Sequence, residues 1–122
     1  MDAGATFLLP GLDDHLWLVI SDPFLDANRI VVVCFLSWKE HLDQACIVKP
    51  GEHPFVKHDT CVQYATARVV TAERLKVLQD GGQLRMKAPL SPSLLDRIRK
   101  GAENGDIPTE CYEVLRSQGF VG

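Results

Sequence analysis

A chain of 122 residues fits one domain of ordinary size, and 46% hydrophobic with 24% charged residues supplies apolar surface for a core, which excludes a disordered chain. The formal net charge of −3 conceals an uneven spread: residues 49–87 hold seven Lys/Arg against four Asp/Glu, whereas residues 1–48 hold two against seven. A polyanion, if one binds, is therefore expected on the middle third, since phosphate affinity comes chiefly from Lys and Arg.

In chain order, residues 1–12 lack periodicity and carry Pro10 and Gly11, so they read as a loose arm before the Asp13-Asp14 pair. "HLWLVIS" reads as a well-buried strand, with Trp17 and Val19 on one face and Leu16, Leu18 and Ile20 on the other. "DPFLDAN" is a turn. "RIVVVCFLS" is the strongest strand, because its β-branched valines favour extended backbone, and it belongs at the centre of a sheet. "WKEHLDQ" reads as a loop or a helical turn, and "ACIVKP" as a short strand ended by Pro50 and Gly51. In "TCVQYATARVV", strict alternation puts Tyr64, Thr66 and Arg68 in a row that can line a groove.

Thr71 as N-cap and Glu73 in the first turn predict a helix over 71–80, closed by Gly81 and Gly82. "QLRMKA" returns as a short strand. Ser91 as N-cap and Pro92 at the first helical position open a second helix, which runs to Gly105. A third spans about 108–117, with Cys111, Val114 and Leu115 turned inward.

Strands followed by helices, rather than alternating with them, predict a mainly β, α+β domain: a small antiparallel barrel over 13–88 with helices added over 89–122. No phosphate-binding glycine loop or CxxC pair occurs. The widely spaced Cys34, Cys46, Cys61 and Cys111 read as reduced, buried thiols. The longest apolar stretch, 30–36, falls short of the roughly 18 residues of a membrane span, and no basic n-region precedes it, so a cytoplasmic protein is expected.

Three segments taken together, "DDHLWLVISDP", Arg29 opening "RIVVVCFLS", and "IVKPGEHPFVKHDTCVQYATARVVTAERL", resemble in order strands and a helix of the MazF/PemK/Kid group of toxin proteins over residues 13–80. The resemblance implies an SH3-like β-barrel, a homodimer, a cognate antitoxin as partner, and metal-independent cleavage of single-stranded RNA without a cofactor. Arg29, Ser37, Thr60 and Arg68 match the family's arginine before the second strand, the hydroxyl after it, the hydroxyl opening the late strand and the arginine near its end. Ala65 and Gln63 stand where the family carries a catalytic aspartate and, in some members, a second arginine; the loop "DPFLDAN" is short and acidic where the family's is long and basic.

With those positions empty, the groups left for proton transfer are imidazoles. His53 and His58 precede the late strand and have the chemistry of an acid–base pair for transesterification, with Arg29 and Arg68 as cations for the phosphate. Both histidines equally suit structural hydrogen bonding. With Cys61 they have a spacing compatible with zinc but lack a fourth ligand. Tyr64 is placed to stack a base or to fill the core, and Ser37, Lys57, Thr60 and Thr66 are further candidates for substrate contacts. Trp17 and Trp38 read as packing. Two classes stay open: a toxin-like endoribonuclease, and a catalytically inactive SH3-like barrel that binds protein or nucleic acid through the same groove.

Overall fold

The computed structural model describes residues 1–11, 15–37 and 44–122, with Ser37 described by its backbone alone. Asp13, Asp14 and Trp38, with the rest of 38–43, lie outside the described residues. The elements in chain order are β1 (Thr6–Leu8), β2 (Trp17–Val19), β3 (Ile30–Ser37), β4 (Ile47–Val48), β5 (Thr60–Val70), α1 (Ala72–Asp80), β6 (Arg85–Lys87), α2 (Pro92–Gly101) and α3 (Thr109–Ser117). All strands pair antiparallel in one curled sheet of order β4-β5-β3-β2-β1-β6. The result is the expected mainly antiparallel, α+β architecture. No helix among the described residues is long and apolar enough to cross a membrane.

Alternation along β2 and β3 divides the interior into two cores. Leu16, Leu18 and Ile20 join Val31, Val33 and Phe35 on one face, where α2 adds Leu94 and Ile98 and α3 adds Val114 and Leu115. On the other face Trp17, Val19, Ile30 and Val32 pack beneath Leu75 of α1. Each large side chain so buried contributes about 1.5–3 kcal/mol, which is why both faces of these central strands are apolar in the sequence.

The N-terminal arm is corrected. Residues 6–8 form β1, which pairs with β2 on one side and β6 on the other, and Thr6 and Phe7 are buried. Three residues are too few to show alternation, so the pairing is set by neighbours rather than by local pattern. Thr71 caps α1 by accepting from the Arg74 N–H, and Ser91 caps α2 by accepting from Leu94. The second helix stops at Gly101 rather than Gly105. There the last turn tightens: Ala102 N–H goes to Arg99 O, and the Tyr64 hydroxyl takes the Ile98 carbonyl at 2.6 Å.

The two edges of the curled sheet are fastened to each other. The loop after β4 carries His53, whose Nε2 lies 2.7 Å from the carbonyl of Ala88, just beyond β6 at the opposite edge. Thr6 Oγ1 donates to the same carbonyl at 2.6 Å. The Phe55 backbone N–H donates to His53 Nδ1 at 3.1 Å, which fixes the ring as the tautomer protonated on Nε2. A second tie runs from the same loop to α2, where Arg97 grips both oxygens of Glu52 at 2.6 and 2.8 Å and also reaches Ile47 O.

Candidate functional site

The strand β5 is long because it changes course. Between the register pairs Val32↔Arg68 and Cys34↔Gln63 the ladder shifts, so β5 carries extra residues opposite Val33. Such a bulge reverses which side chains face which side of the sheet. Val62, Tyr64 and Ala67 therefore enter the first core, while Arg68 emerges on the face of Trp17. The expected row of Tyr64, Thr66 and Arg68 is corrected: Tyr64 is fully buried with its hydroxyl on Ile98 O, on the face opposite Arg68. Strict alternation had no means of seeing the inserted residues.

Where Arg68 emerges, the sheet and α1 enclose a cleft of about 530 Å³. Its walls are Phe7, Trp17, Val32 and Val70 from the strands and Leu75 and Leu78 from the helix, with Pro10 and Gly11 at one margin. Arg68, Arg74 and Gln83 bring polar groups to it. The Arg68 guanidinium carbon stands 5.7 Å from the centre of the Trp17 ring, a cation–π arrangement that holds it against an apolar surface. Arg74 comes from the first turn of α1, in which Thr71 and the Arg74 backbone form the cap. Beyond Trp17 the same face continues to Cys34, whose thiol lies 3.6 Å from Gln63 Oε1 and 3.7 Å from Thr66 Oγ1.

The two arginines that line this cleft stand outside the ion pairs of the described residues. Among the described residues, the ion pairs are Arg29–Asp26, Lys49–Asp59, Arg97–Glu52, Lys100–Asp96 and Arg116–Glu113. Arg68 and Arg74, the two cations that line the cleft, make none among the described residues. These unpaired cations fall within the segment whose positive balance marked it in the sequence.

The four residues matched to the toxin pattern do not converge. Ser37 and Thr60 are register partners at one end of the β3–β5 ladder, whereas Arg29 precedes its other end and Arg68 stands opposite Val32. Eight residues of strand separate the ends, about 26 Å. Arg29 is exposed and spent on Asp26 at 2.8 Å, and that hydrogen bond holds the Asp26 carboxyl below its usual range. Thr60 Oγ1 donates to His58 O, and Lys57 and His58 are exposed on the same loop. His53 is buried and both its ring nitrogens are engaged in the clasp. His53, His58 and Cys61 do not assemble into a group of three ligands.

The other perturbed groups lie away from the cleft. The Arg97 hydrogen bonds, with help from the Lys49 backbone N–H, hold the Glu52 carboxyl far below its ordinary 4.5, at about 2. Burial pushes the Cys46 and Cys111 thiols up. All four cysteines are free and buried. Sequence reasoning missed Arg74 and Gln83; the positive balance of 49–87 was the signal available for Arg74, and no motif marked Gln83. Comparison with protein-family models, with curated proteins and with solved structures finds no match.

Proposed function

We propose that the chain is a divergent SH3-like barrel of the toxin type that binds single-stranded RNA through the Arg68–Arg74 cleft without cutting it. The observation that carries this reading is the pair of guanidiniums at an apolar, tryptophan-backed cleft, with no carboxylate partner among the described residues. An unpaired arginine beside apolar surface suits a phosphate and its base together, since guanidinium planes stack on bases as well as holding phosphate oxygens.

Cleavage requires a base for the 2′-hydroxyl and an acid for the leaving oxygen, both within hydrogen-bond reach. The described lining of the cleft holds neither imidazole nor carboxylate, and His53 spends both ring nitrogens on backbone groups. Ser37 and Thr60, at the far end of the ladder from Arg29, do not supply the missing pair.

Fluorescence anisotropy with a labelled single-stranded RNA, followed by electrophoresis of the same sample, tests the reading. The wild type binds and leaves the RNA intact, and the Arg68→Ala/Arg74→Ala protein binds at least about tenfold more weakly. RNA cleaved by the wild type, or bound equally well by both proteins, overturns it.

A further inference from the structure

The Arg68–Arg74 cleft changes character from its mouth to its floor. Arg68, Arg74 and Gln83 line it as exposed residues, Phe7, Val32 and Leu75 as buried ones, and Leu9 and Leu78 stand partly buried between them. The side chains of Phe7, Val32 and Leu75 have no atom that hydrogen-bonds, so polarity is confined to the mouth. RNA held at the mouth leaves this floor unfilled, because a base edge lowered onto it would give up its hydrogen bonds to water and find none in return. An alkyl chain has no such bonds to lose and gains by leaving water. The cleft, at about 530 Å³, has the size of sites that enclose a small organic ligand.

We infer that the cleft binds a medium-chain alkyl carboxylate, free in solution, with its chain on the apolar floor and its carboxylate at Arg68 and Arg74. A guanidinium matches a carboxylate with two parallel hydrogen bonds. Arg97 makes that match within the chain, holding both oxygens of Glu52 at 2.6 and 2.8 Å. Arg68 and Arg74 make no ion pair among the described residues, so at the cleft the carboxylate is the part a ligand supplies. Arg68 already stands 5.7 Å from the centre of the Trp17 ring, which holds its cation in place and lowers the entropy lost on binding. The carboxylate shares the two arginines with the proposed RNA, while its chain uses the floor that the RNA reading leaves unoccupied.

Isothermal titration of the full chain, without RNA, with hexanoate, octanoate and decanoate below their micelle concentrations tests the inference. Binding saturates, and the dissociation constant falls about fourfold for each added methylene. Decylammonium, with the same chain and the opposite charge, shows no saturable binding. Arg68→Ala/Arg74→Ala weakens decanoate binding at least about tenfold, and Leu9→Thr/Leu78→Gln does the same while leaving RNA binding unchanged. Circular dichroism reports whether both variants fold, and the chain-length series on the wild type stands without them. No saturable binding of decanoate, an affinity independent of chain length, decylammonium bound as tightly as decanoate, or a folded Leu9→Thr/Leu78→Gln protein that binds decanoate like the wild type overturns the inference. A wild type that binds decanoate but no RNA strikes the RNA reading alone, and one that binds RNA but no decanoate strikes this inference alone.

Discussion

On the side covered by α2 and α3, Arg97 closes on both oxygens of Glu52, and Arg99 donates to the Ile20 carbonyl at 2.6 Å while lying over the Phe120 ring. On the side covered by α1, Arg68 and Arg74 border an open cleft and have no carboxylate partner among the described residues. One sheet thus separates arginines that hold the fold from arginines left available. The difference teaches where substitutions should be felt: stability on the first side, ligand binding on the second.

The largest effect on stability is expected from the clasp. His53→Ala removes a buried ring that packs edge-on against Phe35, and it strips the Phe55 N–H of its acceptor and the edge-to-edge bond to Ala88. A loss of about 3 kcal/mol is expected, read from the urea midpoint. An unchanged midpoint would remove His53 from the structural side of the comparison and return it to the candidates for chemistry.

Next comes Gly101→Ala. The added Cβ would collide with the Tyr64 hydroxyl and lie 3.1 Å from Cys46 Cβ, in a helix end that already supplies Ile98 O to that hydroxyl. Overpacking of this kind costs about 2 kcal/mol. Thermal unfolding should fall accordingly, and Tyr64→Phe combined with Gly101→Ala should recover part of the loss by removing the obstructing oxygen.

Acid should reveal the Glu52–Arg97 tie. The Glu52 carboxyl titrates at about 2 in the folded protein against 4.5 ordinarily, so its contribution is fully present above pH 4.5 and is lost as pH falls from there toward 2. The pair is partly exposed, and with solvent screening the contribution is about 1 kcal/mol. Glu52→Gln should flatten the stability–pH curve in that window and leave its shape above it unchanged; a curve as steep as the wild type's would mean the tie contributes nothing.

The elements that local chemistry dictates were readable: the two-faced strands β2 and β3, the caps Thr71 and Ser91, and the α+β order. What was not readable depends on long-range partners. β1 exists because β2 and β6 flank it, and the bulge in β5 exists because β3 holds its register on both sides of Val33. The bulge alone moved Tyr64 from the expected groove into the core and set Arg68 apart from it. The positive balance of residues 49–87 marked the right segment for unpaired cations, but only the fold distinguishes Lys49, bound to Asp59, from Arg68 and Arg74. Likewise, a histidine pair in a loop looks the same in sequence whether it carries protons or closes a sheet.

The smallest effect on stability belongs to the cleft. Arg68→Ala/Arg74→Ala should shift the urea midpoint by under about 0.5 kcal/mol, since neither side chain makes an ion pair among the described residues. Its effect on RNA binding is the central measurement: the slope of log association constant against log salt concentration for single-stranded RNA. Each phosphate contact contributes about 0.7 to that slope, so the double variant should be flatter than the wild type by about 1.4, while Lys100→Ala/Arg116→Ala, which removes paired surface cations, runs parallel to it. Equal slopes for all three proteins, or a slope flattened only by loss of the paired cations, would contradict the assignment of RNA binding to this cleft.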